Sequence, residues 1–489
     1  RSTGPMAPNA NRTAPILITY ADRLAGGIDG VAALLDHELA GAFAGVHLLP
    51  FFVPIDGADA GFDPVDHTLV DPRIGSWERV AELADRHDVM ADLIVNHVSA
   101  DSTQFLDWLA HGDASPQAGL FLTPERVFGG APRPEDAAII YRPRPTSPFT
   151  EVEFADGTRR LVWTTFTDRQ IDIDVESTLG WEYLMGILDR FAAANVRSVR
   201  LDAVGYAIKR AGTSCFMLPE TMEFIRRLTV ACHDRSMAVL VEMHGHHLDQ
   251  LAIAPHVDLV YDFALPPLTI DALTTGDAAA LRRWIGMRPT NAVNVLDTHD
   301  GIGVIDVGAD ARDATRVGLL PPERIDALVE GIHERSGGVS RAATGSSASN
   351  VDLYQVNCTF YDALGRDDAR YLAARMIQCA LPGTPQIYYV GLFAGENDTD
   401  LLDRTGVGRD VNRHHYTTAE IDAALEQPVV QRLLALLRWR ATEPAFDGDF
   451  ELLDAPPHVL AVRWSSSTST VAINVDLMTY AVTIDPSPH

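Results

Sequence analysis

Residues 197–204 read RSVRLDAV, an apolar, β-branched run that ends on an arginine and an aspartate. Charge at the end of a strand buried on both faces costs desolvation, so it implies a partner or a chemical task. Seven other short runs have the same make-up: PILITY at 15–20, GVHLLPF at 45–51, VMADLIVNH at 89–97, MAVLVEMH at 237–244, VDLVYDFA at 257–264, NAVNVLDTHD at 291–300 and TPQIYYVG at 384–391. Between them lie segments such as GSWERVAELADRH and GWEYLMGILDRFAAA, whose apolar residues recur near the helical period. Eight β–α units predict a (β/α)8 TIM barrel of the α/β class.

Two intervals are too long for simple loops and read as inserted subdomains on the C-terminal face. The expected organisation is 1–14 a disordered tail or expression scar, 15–100 the first barrel segment, 101–170 an inserted subdomain after strand 3, 171–303 the second barrel segment, 304–365 an inserted subdomain after strand 7, 366–444 the third barrel segment, and 445–489 a small C-terminal β domain. The last rests on the alternating runs HVLAVRW, TSTVAINV and YAVTID.

Composition narrows the function classes. The chain has 489 residues and a net charge of −28, which disfavours nucleic acid and anionic membranes as partners. Neither a signal peptide nor a membrane span is supported, since no long uninterrupted apolar stretch appears, so a cytoplasmic location is expected. The cysteines Cys215, Cys232, Cys358 and Cys379 have no metal-site spacing and are expected to be reduced and structural. No HExxH or clustered His/Cys pattern points to a metal, and no cofactor is expected. Lys209 is the only lysine.

The strand ends carry Asn96-His97, Arg200 with Asp202, Glu242 with His244, and His299-Asp300. In a barrel they converge on one pocket. A lone aspartate after a strand usually caps a helix or turn, but three carboxylates from three strands suit glycoside chemistry, in which one is nucleophile and one general acid/base. The Arg200 guanidinium is expected to hold Asp202 ionised, while an acid such as Glu242 needs a less charged setting.

The ordered set DLIVNH, VRLDAVGY, VEMH and LDTHDG resembles the four short motifs of the α-amylase superfamily of glycoside hydrolases. The longer stretches RLDAVGYAIKRAGTSCF, SNVDLYQVNCTFYDALG, LPGTPQIYYVGLFAGEND and GRDVNRHHY are similar to its sucrose phosphorylase subfamily over about residues 16–445. The resemblance implies Asp202 as nucleophile, Glu242 as acid and then base, and Asp300 as transition-state stabiliser. It implies a glucosyl pocket made by Asp66, Phe62, His97, Phe166, Gln170, Arg200, His299 and Arg409. For phosphate and the fructosyl part it implies Arg144, Tyr206, His244, Leu353, Tyr354 and Gln355. Small-molecule substrates are the implied partners, sucrose or sucrose 6-phosphate with inorganic phosphate, and a homodimer is an expectation for assembly.

Two features bear on the acceptor. Arg142 and Arg144 sit in a proline-stiffened loop, IIYRPRPTSPFT, and guanidinium forks suit phosphate. His67, His246-His247 and His415 stand where the subfamily usually shows tyrosines, and imidazoles near the acceptor would favour an anionic one. These point to sucrose phosphorylated on its fructose, whereas DLYQ points to plain sucrose. A hydrolase or transglucosidase of the same superfamily, a glucosylglycerol-type phosphorylase, and a catalytically silent carbohydrate-binding protein on this barrel stay open as alternatives.

Overall fold

The computed structural model describes residues 14–142, 146–346 and 355–488. Eight parallel strands form its centre: β1 Ile16–Thr19, β2 Gly45–Leu48, β3 Asp88–Ile94, β4 Ser198–Asp202, β5 Ala238–Val241, β6 Leu259–Asp262, β7 Ala292–Asn294 and β8 Thr384–Tyr388. They close into a barrel in the order β1-β8-β7-β6-β5-β4-β3-β2. Both faces of each strand are covered, which is why the runs read as continuously apolar and not as alternating. Helices such as Thr178–Ala193, N-capped by the Ser177 hydroxyl, and Pro219–His233 pack outside.

The strands stop earlier than the sequence predicts. Only β4 reaches its carboxylate, Asp202; β3, β5 and β7 end at Ile94, Val241 and Asn294. Pairing thins at the rim: the Val95 and Glu242 amides still donate to the Asp202 and Leu201 carbonyls, each at 3.3 Å, while His299 and Asp300 follow on a loop.

Inside the barrel Met90, Leu240, Tyr261, Phe263, Val293 and Val295 form an apolar cluster. Against it lies a buried ionic row. His47 Nε2 is 2.8 Å from Asp92 Oδ2, and Arg200 Nη1 donates to Asp92 Oδ1 at 2.6 Å and to Asp202 Oδ1 at 2.8 Å. Register makes this possible, because Arg200 is paired directly with Asp92 across the β3–β4 ladder. The charged end of RSVRLDAV is the top of a column of paired charges.

The first insertion leaves after β3. Its strand His97–Ser99 pairs antiparallel with Gln170–Asp172, matching His97 to Asp172, and a hairpin, Phe149–Glu153 with Arg159–Trp163, stands beyond. The second leaves after β7, where Ile302–Gly303 pairs with Gln355–Val356 and the helix Pro322–Arg335 packs between. At the C-terminus a four-stranded antiparallel sheet spans Asp449–Leu452 to Val482–Asp485. It docks on the barrel's helices through Trp464 Nε1, which donates to the Ala380 carbonyl at 2.7 Å. The four cysteines are buried and unpaired, and no helix among the described residues is long and apolar enough to cross a membrane.

The sole lysine fastens the first insertion. Lys209, on the loop after β4, places Nζ 2.7 Å from Asn96 Oδ1 and 2.7 Å from Asp172 Oδ2. The Asp172 carboxylate also accepts from the Thr165 amide at 3.0 Å and from the Thr165 hydroxyl. One buried cation thus joins the ends of β3 and β4 to the strand that carries Gln170. Removing one partner of such a pair leaves an uncompensated buried charge. Lys209→Met is expected to cost about 3–5 kcal/mol, measured by guanidinium unfolding. A loss below about 1 kcal/mol would show that the Thr165 bonds alone sustain Asp172.

Candidate active site

Above the ionic row, Asp202 and Glu242 face the mouth of the barrel. The Ala203 amide donates to Glu242 Oε2 at 3.2 Å, and Ala203 itself is left-handed, with φ of 55°. That conformation is costly for a residue with a Cβ. It turns the chain sharply after Asp202, so that one amide links the two catalytic candidates.

Burial has the largest effect on the Asp202 carboxyl and pushes it well up; Arg200 opposes this, and Glu242 adds to it. Arg200 acts on Asp202 in the expected direction, against the effect of burial. The same guanidinium nitrogen serves two aspartates. Asp92 takes the larger share: burial would raise it, but His47 and Arg200 bring it down to about 2.

Asp300 has the opposite setting. Burial would raise it, yet the Arg409 and Arg413 guanidiniums hold it far below the usual carboxylate range. Arg409 Nη1 lies 3.0 Å from Asp300 Oδ1, and Arg413 Nη2 lies 3.9 Å away. Burial brings the His299 ring down to about 3, so it is neutral near pH 7. Burial thus raises one carboxyl of the pocket, while neighbouring guanidiniums keep another charged.

Most of the residues expected to surround a sugar are brought together. Phe62 stacks on His299 at 5.0 Å, His97 donates from Nε2 to the Phe62 carbonyl at 3.1 Å, and Phe166 meets both His97 and Tyr206 edge-on at 5.3 and 5.2 Å. Arg409 Nη2 donates to Gln355 Oε1 at 3.3 Å, so the second insertion reaches the same wall. His244 stacks on Phe263 at 3.8 Å, with Nε2 3.9 Å from Glu242 Oε1. An adjoining cavity of about 630 Å³ shares Phe166, Gln170, Arg409 and Arg413.

Asp66 is not among them. Its carboxylate accepts from the amide and hydroxyl of Thr68 at 2.8 and 2.6 Å, a local turn at the start of the strand Asp66–Val70. The aspartate that bonds to the wall's glutamine is Asp59, whose Oδ2 accepts from Gln170 Nε2 at 2.8 Å and which lines the cavity with Arg409. Nothing in the glycine- and alanine-rich loop GADAGFD distinguishes Asp59 by sequence. Asp92 does carry a signal, since it interrupts an apolar strand in register with Arg200.

The histidine reading is also corrected. His67 is buried on the outer side of the barrel, accepting from the Ile94 amide at 3.0 Å and packed on Phe52, and burial lowers it to about 4. His246 caps the helix His247–Ile253 through Nδ1, and its Nε2 donates to the Val317 carbonyl at 2.8 Å. His247 is buried against His246 and Trp284. All three are committed to packing; His415 is exposed. Arg142 donates Nε to the Thr165 carbonyl at 3.0 Å and so supports its own loop. Arg144, Leu353 and Tyr354 lie outside the described residues.

The Alpha-amylase family model, for the alpha amylase catalytic domain, matches residues 9–298. The chain is 56% identical over 472 residues to a sucrose phosphorylase of Agrobacterium vitis, covering 96% of each. It is 52% identical over 461 residues to a sucrose phosphorylase of Bifidobacterium adolescentis, covering 94% of this chain and 91% of that protein. The crystal structure of a sucrose 6F-phosphate phosphorylase from Thermoanaerobacter thermosaccharolyticum matches with a TM-score of 0.90 at 35% identity, covering 98% of this chain and 96% of that one.

The shared guanidinium makes a prediction for any reaction that needs Asp202 ionised. In Asp92→Asn the Arg200 charge falls to Asp202 alone, so its raised carboxyl comes down. The acid limb of kcat/KM should then move to lower pH in a pH–rate profile; an unmoved limb would mean that another group sets it.

Proposed function

The chain belongs to the α-amylase family, within its sucrose phosphorylase group, and on that premise we propose that it is a retaining glucosyl phosphorylase that converts sucrose and inorganic phosphate to α-glucose 1-phosphate and fructose. In the first step an Asp202 oxygen attacks the glucosyl C1, the bond from C1 to the fructosyl oxygen breaks, and Glu242 gives its proton to that oxygen. In the second, a phosphate oxygen attacks C1, the ester to Asp202 breaks, and Glu242 takes the phosphate proton. Two inversions retain the α configuration.

The observation that carries this reading is the single amide joining the two candidates, from the residue after Asp202 to Glu242. Asp300, held as an anion by Arg409 and Arg413, is suited to a ring that becomes positive at C1. Phe62 and Phe166 offer apolar faces to the sugar's C–H groups.

Plain sucrose is favoured over sucrose bearing phosphate on fructose because His67, His246 and His247 are tied up in packing. The two relatives above 50% identity are named for sucrose, and the one at 35% for sucrose 6F-phosphate. Assays of glucose 1-phosphate formation from the two donors decide this. Higher kcat/KM on the phosphorylated donor would overturn the choice of sucrose. Release of glucose from sucrose at the same rate with and without phosphate would instead favour the hydrolase.

Two sets of variants test the assignments. Asp202→Asn should lower turnover by several orders of magnitude, and an activated glucosyl donor should leave a covalent adduct on Asp202 in the parent, read by mass spectrometry. Asp59→Ala should lower kcat/KM roughly ten- to hundredfold, the size of one lost charge-assisted bond, while Asp66→Ala stays within about threefold of the parent. The reverse order would return the hydroxyl-binding role to Asp66.

A further inference from the structure

Behind His244 lies a carboxylate that the chemistry above does not use. Asp306 is completely buried in the short turn Ile305–Val307 of the second insertion. Its Oδ2 is 3.2 Å from His244 Nδ1, while Oδ1 accepts from the Gly245 amide at 3.2 Å and from Gln250 Nε2 at 3.1 Å. The bonds come from the loop after β5 and from the helix His247–Ile253, so three segments meet on one carboxylate. Gly303 leaves room for it: a Cβ there would stand 2.6 Å from Asp306 Oδ2 and 3.4 Å from His244 Nδ1.

The ring of His244 is fixed in its plane by Phe263, 3.8 Å away and nearly parallel at 15°. With Nδ1 held by Asp306, Nε2 is the remaining donor, and it is buried without a hydrogen-bond partner among the described residues. A buried donor of that kind calls for a ligand acceptor. The charged groups that face the ring are Asp306, Glu242 and Asp300. Burial lowers the imidazole, but these three carboxylates, Asp306 foremost, raise it above its ordinary value.

We propose that Asp306 is a positioning residue that keeps His244 in its cationic form with Nε2–H aimed at the phosphate acceptor, and so favours phosphate over water at the glucosyl-enzyme. The inference rests on the phosphorolytic reading and deepens it. Carboxylate-backed histidines are oriented and made more basic in this way, and a donor that carries charge binds an anion more strongly than a neutral one.

The sign with pH follows. The imidazolium is present below its raised pKa and is lost as pH rises through it, so the benefit to phosphate binding is greatest in mildly acidic solution and fades towards alkaline pH. Asp306→Asn keeps the size of the side chain but not the charge, and can leave Nε2–H in place on a neutral ring.

The experiment measures KM for phosphate from about pH 6 to 8.5 in the parent and in Asp306→Asn. The ratio at each pH cancels the titration of phosphate itself. The expected result is a ratio of tenfold or more near pH 6.5 that shrinks towards one at pH 8.5, with a lower ratio of phosphorolysis to hydrolysis. Adding Asp306→Asn to His244→Gln should change the phosphate KM less than twofold, because Asp306 acts through His244. Should Asp306→Asn fail to fold, Gly303→Ala presses on the same contact and should likewise raise the phosphate KM. A ratio near one throughout, one constant with pH, or full additivity in the double variant overturns the proposal while leaving phosphorolysis intact. A parent that makes no glucose 1-phosphate overturns the functional reading itself, and this inference with it.

Discussion

One guanidinium organises the barrel interior. Arg200 bridges Asp92, inside the sheet, and Asp202, at its rim, through a single nitrogen, and His47 closes the row beneath. Each member is costly to bury alone, and the row is tolerable only because each charge has a partner within hydrogen-bond distance. The register of β3 against β4 is therefore constrained as much by electrostatics as by packing. A slip by one residue would place Arg200 opposite Leu93 or Ala91 instead of Asp92. The Asp202 carboxylate inherits its position from this arrangement, in which its cation is shared.

The rim is then assembled from elements far apart in the chain. Lys209 fixes the strand bearing Gln170, Gln170 holds Asp59, and Arg409 links Asp300 to Gln355. Both insertions thus contribute to a pocket whose floor belongs to the barrel. This is the usual division in such folds, a rigid sheet below and adaptable loops above. The buried position of Lys209 also explains how a chain with one lysine uses it: a flexible ammonium reaches two oxygens from different segments where a planar guanidinium would need a fork.

How much of this is legible in the sequence depends on whether the signal is local. The eight strands and the carboxylates Asp202, Glu242 and Asp300 can be read because buried runs and their polar ends are features of short windows. Asp59 cannot, since it differs from Asp66 only by a bond to a glutamine 111 residues away. The histidines mislead for a similar reason. A sequence shows that His67 and His247 are polar, but not that one accepts an amide beneath a phenylalanine and the other packs on Trp284. The sharing of Arg200 escapes the sequence because the motif sets it beside one carboxylate, whereas the fold gives it two.

Net charge sets the last constraint. At −28 the molecule repels a phosphate dianion at long range, so capture depends on local cations. Arg200 is divided between Asp92 and Asp202, and Arg409 and Arg413 are directed at Asp300. These guanidiniums balance carboxylates assigned above to the proposed glucosyl half of the site, and diverting them to an anion would unbalance it. His244 differs, because its balancing carboxylate, Asp306, lies behind it at Nδ1 and leaves Nε2 facing the site. On the proposed function, separating the counter-ion from the donor on opposite sides of one ring lets the pocket hold a sugar-facing set of charges and an anion-facing one without either neutralising the other.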